Sequence, residues 1–167
     1  IDTLKAAGYP EKPITMILPL GAGGSHDRNA RVFTSVIPEF LGNAIIVKLM
    51  PGASGQVGTA AAARSKPDGY TLIFTHNYYD QLQKHVKKLP YNTDKDFVTV
   101  GKLNSGSFSV IVRADSPFKT WGQLVAYAKK NPGKLKFAHS GNWGATHAPA
   151  LQLFTEAGIV KNIVMVP

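Results

Sequence analysis

The sequence predicts an α/β fold of mostly parallel sheets flanked by helices. Two observations carry this. Short apolar runs alternate along the chain with segments of helical spacing. A strand, a glycine loop and a helix also recur in that order, at 14–41 and again at 135–157. That alternation is how parallel strands are joined by crossover helices.

The elements follow in order. Pro13–Leu18 (PITMIL) reads as a short buried strand running into PLGAGGSHD. From His26 to Leu41 apolar residues recur at Val32/Phe33, Val36/Ile37 and Phe40/Leu41, a helical spacing. Ser25 reads as its N-cap, Gly42 as its stop, and Pro38 as a kink or an early end. Ala44–Val47 is a second strand, leading into PGASGQVG. Gln56–Lys66 is Ala-rich and helical, with Ser54 as cap. The turn PDG at 67–69 precedes a third strand, Tyr70–Thr75, and a helix over Tyr79–Lys88. Val98–Leu103 and Phe108–Arg113 read as strands around NSGS. Thr120 and Gln123 form a capping box for a helix through Lys130. Leu135–His139 is a strand, SGNWGATH a second glycine loop, and Ala145–Ala157 a helix with Pro149 in its first turn. Asn162–Val166 is the last strand.

The 167 residues, 44% of them hydrophobic, suffice for one sizeable core, or one domain and part of another. There is no cysteine, hence no disulfide scaffold and no thiolate metal site. No apolar run is long enough for a membrane span. The opening IDTLKAAGYPEKP is polar and reads as a start from which a signal has been removed. The formal charge is +9, with net +3 over residues 1–100 and +6 over 101–167. The plain reading is a solvated basic surface; the sharper one is steering of an anion. The lysines are scattered singles and pairs, without the aromatic interleaving of nucleic-acid binders, so no nucleic-acid partner is expected.

The glycine loops suit an anion. A loop beyond the carboxyl end of a strand that opens a helix presents free amides and the positive end of the helix dipole. A tight turn is the plain alternative. Nucleotide motifs fail: G-x-G-x-x-G from Gly21 needs glycine where His26 stands, and no Walker sequence is present. A carboxylate is therefore favoured over a phosphate chain. Ser25-His26-Asp27 is no triad, because consecutive residues cannot reach one another in that order. The histidines show no metal-binding spacing, and no metal or cofactor is expected. His139 and His147 flank the second loop, where ligand contact competes with a plain helix-start role. Trp143 in that polar loop needs a neighbour or a ligand to cover its indole.

At these residues the chain resembles the substrate-binding proteins of tripartite tricarboxylate transporters, the TctC or Bug family of bacterial periplasmic receptors. The resemblance rests on YPEKPITMILPLGAGGSHDRNAR, MPGASGQVGTAAAARSKPDGYTL, LPYNTDKDF and NPGKLKFAHSGNWGATH, in that order, and covers nearly the whole chain from Tyr9. It implies a two-domain, Venus-flytrap receptor of the periplasmic-binding-protein type. A small carboxylate would lie in an interdomain cleft and be delivered to membrane transporter subunits. The implied ligand contacts are Leu20, Gly21, Ala22, Gly23, Gly24, Ser25, His26 and Asp27 of the first loop. His76, Asn77 and Tyr78 follow the third strand. Ser140, Gly141, Asn142, Trp143, Gly144, Ala145, Thr146 and His147 form the second loop. Asp27 is expected to orient its loop rather than touch the anion. No catalytic residue is implied.

His26 stands where the family usually has threonine, and Trp143 where small residues are common; both point to a bulkier or aromatic acid. The chain is also shorter than the family. The resemblance implies a first domain over 1–103, lacking returning C-terminal strands, an incomplete second domain over 104–167, and a hinge near Lys102–Ser107. Unpaired strand edges predict a homodimer or swapped oligomer. Two other readings stand beside the receptor: an α/β enzyme on a small anion with His26 or His147 as acid/base, and a truncated relic without ligand.

Overall fold

The computed structural model describes residues 8–76 and 82–167. The chain divides into two units, Ile1–Val98 and Thr99–Pro167.

The first unit is built on three parallel strands in the order β2-β1-β3: β1 (Ile14–Leu18), β2 (Ile45–Leu49) and β3 (Thr71–Ile73). Ile14 pairs with Ile45 and Leu18 with Leu49; on the other side Thr15 pairs with Thr71 and Ile17 with Ile73. The central strand is the most buried, as expected where both faces of a parallel sheet are covered. Helix α1 (Ser25–Val36) follows β1, and α2 (Pro38–Leu41) follows directly, with Pro38 at its first turn and Gly42 closing it at φ 76°. Ala30, Phe33 and Ile37, at helical spacing, turn onto Ile14, Met16, Leu18 and Ile45 to form the core. Helix α3 (Gln56–Ala63) lies after β2, and the short α4 (Gln83–Val86) after β3. The YPEKP and PDGY motifs clasp each other. Tyr9 donates its hydroxyl to Gly69 O at 2.6 Å, and the Tyr70 hydroxyl accepts from Glu11 N at 3.0 Å.

In the second unit, β4 (Leu135–Ala138) pairs in parallel with β5 (Ile163–Val166). Helix α5 (Trp121–Lys130) precedes them and α6 (His147–Glu156) connects them. Leu124, Ala128, Ala150, Phe154, Ile159 and Ile163 form the core. Phe154 is its centre, stacked with Trp121 at 6.2 Å and edge-on to Phe137 at 5.1 Å. The cap stands as read, Thr120 Oγ1 accepting from Gln123 N, while Gln123 Oε1 reaches back one residue past the cap and accepts from Lys119 N at 2.7 Å.

Several local expectations are corrected. Gly24, not Ser25, is the N-cap of α1, and Ser25 is its first helical residue. Ser54 does not cap α3: it lies in a left-handed turn at φ 53°, and Gly55 takes the cap position. The strands expected over Val98–Leu103 and Phe108–Arg113 do not form; the segment is irregular, with Val98 91% and Ile111 84% exposed. An apolar run becomes a strand only where a neighbouring edge accepts its backbone, and none of the described strands pairs with it. The helix over 79–88 is found as Gln83–Val86, its first residues lying outside those described.

Candidate functional site

Because β1, β2 and β3 are parallel, their carboxyl ends share one edge of the sheet, and the segments leaving that edge come together. After β1 come Leu20 to Asp27. Leu20 and His26 are half-buried, Gly21, Ala22, Gly23, Gly24 and Ser25 are exposed, and Asp27 is buried at 5% exposure. Asp27 holds the loop. Its Oδ2 accepts from Gly23 N at 2.8 Å and its Oδ1 from Arg31 Nε at 2.9 Å. No side chain caps α1, so the amides of its first turn have no acceptor within the helix.

His26 leaves this loop toward β3. Its ring lies 4.8 Å from that of His76 and 5.8 Å from that of Phe74. Burial pushes the His26 pKa below its ordinary value. His76 is pushed down to about 4, chiefly by burial and then by His26, against a raising backbone hydrogen bond. The pair is therefore neutral near neutral pH. Asn77 and Tyr78 lie outside the described residues.

Two supporting features carried no sequence signal. Gly58 of α3 lets that helix touch the loop's base: a Cβ there would stand 2.8 Å from Pro19 Cα and 2.8 Å from Met50 O. Gln83, fully buried, donates from Nε2 to Ser54 O at 3.0 Å and so braces the turn after β2.

In the second unit the loop after β4 is pinned differently. Thr146 Oγ1 accepts from Ser140 N at 2.9 Å and meets Ser140 Oγ at 2.9 Å. Gly144 N donates to Gly141 O at 3.1 Å. His147, 7% exposed, accepts the Trp143 N–H on Nδ1 at 3.0 Å. Gly144 and Ala145 are buried; Asn142 and Ser140 are exposed, and Gly141, Trp143 and Thr146 are half-buried. Thr146 occupies the cap position of α6 without capping it by side chain, its hydroxyl being spent on Ser140. The ring of His139, at the end of β4, lies 4.3 Å from that of His147. Burial and then His139 lower the His147 pKa. No side chain caps either helix start, whereas α5 is capped by Thr120. At α6, however, His147 N and Ala148 N donate to Gly144 O and Pro149 has no N–H, so only α1 leaves its first amides without an acceptor.

Among the described residues no three histidine or acidic side chains cluster as metal ligands would, and no helix is long and apolar enough to cross a membrane.

Comparison with known proteins agrees with this architecture. Residues 29–167 match the model of the tripartite tricarboxylate transporter family receptor, TctC; the match starts just past the first loop. A Cupriavidus necator protein encoded in the gbd 5' region is 35% identical over 161 residues, which cover 93% of this chain and 47% of that protein. The periplasmic binding protein BugD superposes with a TM-score of 0.78 at 29% identity, over 95% of this chain and 52% of BugD. MatC from Rhodopseudomonas palustris, solved with bound malate, superposes with a TM-score of 0.81 at 27% identity, over 95% of this chain and 54% of MatC. The fold is that of periplasmic binding proteins. The chain spans about half the length of these relatives.

Proposed function

The chain belongs to the tripartite tricarboxylate transporter receptor family, and from that premise we propose that it binds a small organic carboxylate in the periplasm and delivers it to the membrane subunits of such a transporter. The observation that carries this is the uncapped start of α1 at the end of β1, whose first-turn amides face the glycine loop that Asp27 holds open. The glycine loop after β4 repeats the strand-to-helix setting. Free amides at a helix N-terminus favour an anion. Ser25 and Asn142, both exposed, add side-chain donors. Malate bound to the related MatC supports the carboxylate class. His26 and Trp143 enlarge the apolar surface beside the amides and favour an acid with a bulkier body. The proposed role is binding without turnover; His26 and His147 shape the loops rather than move protons.

The test is a thermal-shift panel of aliphatic and aromatic acids, malate included, on the 167-residue chain. A receptor gives a melting temperature that rises with ligand concentration for one class of acid. A folded sample that no acid stabilises would sink the reading.

A further inference from the structure

Trp143 sits at φ 60°, in the left-handed region. A bulky residue is rare there, and such a conformation persists only where its surroundings hold it. What holds it is visible. The Trp143 N–H donates to His147 Nδ1 at 3.0 Å, across the turn at Gly144. Gly144 O in turn accepts from His147 N at 3.1 Å and Ala148 N at 3.2 Å. The indole stands edge-on to the imidazole, 5.5 Å between centroids at 89°. The turn at Trp143 is therefore held on one ring nitrogen, while the Ser140–Thr146 pair ties the ends of the loop.

A ring nitrogen accepts a hydrogen bond only when it carries no proton. With Nδ1 accepting, neutral His147 keeps its proton on Nε2. A second proton has to go on Nδ1, where it faces the Trp143 N–H. The bond then becomes a clash of two donors. The groups around His147 are few. His139, just past β4, is the titratable neighbour in ring contact, and β4 itself carries Lys136, exposed. Residues 140–146 and β5 carry no charged side chain. On α6 the charge is Glu156, about two and a half turns away. On α5 the charges are Lys129 and Lys130 in its last turn.

We propose that His147 is the positioning residue of the second carboxylate loop: its Nδ1 lone pair holds Trp143 in the left-handed turn, and the loop grips its ligand only while that imidazole is unprotonated. The inference rests on reading the loop as a carboxylate site. It differs from the direct effect expected of a histidine beside an anion, which strengthens binding on protonation.

Two substitutions separate the roles of the ring. In His147→Asn the amide oxygen takes the place of Nδ1, so Trp143 keeps an acceptor that does not titrate. In His147→Gln the amide nitrogen takes the place of Nε2, so the distal donor stays and the acceptor is lost. The first readout needs no ligand: the Trp143 backbone amide in the 15N-labelled 167-residue chain, followed by NMR and hydrogen exchange. In the wild type its resonance should move with the His147 ring titration, with a midpoint below 6.5. H147N should stay protected with no such movement, and H147Q should exchange about tenfold faster at neutral pH, the scale of one hydrogen bond. A Trp143 amide that ignores the His147 titration in the wild type, or is equally protected in H147Q, overturns the proposal.

The second readout is malate binding at about pH 7 and about pH 5.5, where histidine changes charge. Wild-type affinity should fall more steeply with acid than that of H147N; comparing the two cancels the ionisation of malate and of the other histidines. Equal pH profiles overturn the link to ligand grip while leaving the carboxylate reading intact. If the amide behaves as expected but no acid of the panel binds either form, the carboxylate reading fails, and the proposal falls with it.

Discussion

The loop after β1 is pinned by a carboxylate; the loop after β4 is pinned by an imidazole and two hydroxyls. Each pin fixes a glycine loop that leads from a strand into a helix, but only α1 keeps its first amides free: at α6 His147 N and Ala148 N both donate to Gly144 O. A buried acid beneath a helix N-terminus gains from the dipole, yet it sets a negative charge next to amides suited to an anion. The first unit answers by turning Asp27 inward, one oxygen on Gly23 N and the other on Arg31. The second loop carries no fixed charge, and its pin is the one side-chain type that ordinarily titrates near neutrality. The comparison teaches that two strand-to-helix glycine loops are pinned by two electrostatic routes, and that they differ in what disturbs them.

The comparison breaks most severely if one unit's core is emptied. Phe154→Ala removes the ring by which α6 anchors in its core and should cost about 3–5 kcal/mol in urea unfolding of the second unit. Amide protection in residues 8–76 should persist; joint loss of both would show that the two loops do not rest on separate cores. Next comes the charged pin. Asp27→Ala leaves Gly23 N without its acceptor and Arg31 without its partner, for about 2–3 kcal/mol. The salt bridge adds little, because Arg31 is 58% exposed. Asp27→Asn should recover part of the loss, since its amide oxygen still accepts from Gly23.

The glycines under the loops sharpen the contrast. Gly58→Ala forces a Cβ into backbone atoms at 2.8 Å and should cost about 1–3 kcal/mol by calorimetry. Gly144→Ala meets Gly141 O and Ser140 O at 3.1 Å, within a loop that can give by tenths of an ångström, so its cost should be below about 1 kcal/mol. A larger loss at Gly144 would mean the second loop is the stiffer.

The smallest effect over the neutral range is acid sensitivity in the first unit. His76 binds its proton only near pH 4, whereas an unfolded histidine binds it near 6.5. Its contribution to stability is therefore full above about pH 6.5 and declines as pH falls toward 4. Melting temperatures across that window should fall less steeply for His76→Gln than for the wild type. Equal slopes would remove His76 from the account.

Much of this was legible in the chain. The periodicities located the five strands found among the described residues and the long helices, and Thr120–Gln123 marked a capped helix, because these signals are local. Ser25 and Ser54 misled as caps, since glycine beside each took the cap position and let the turn tighten. The apolar runs at 98–113 misled for a different reason: alternation measures fitness for a sheet, not the presence of an edge to join. Asp27 was read as a loop-orienting residue, and its bond to Gly23 is that role. His139 beside His147, Phe74 beside His26, and Gln83 under Ser54 could not be read, because each pair joins different segments.

By itself, then, the sequence determined the parallel α/β fold and the two glycine loops at strand ends, both of which follow from short-range pattern and backbone freedom. The tertiary structure alone decided which side chain pins each loop. A pin is a hydrogen bond of fixed length and direction, and residue type cannot say whether Nδ1 of His147 faces the Trp143 amide or solvent. Only folding brings the two within 3.0 Å.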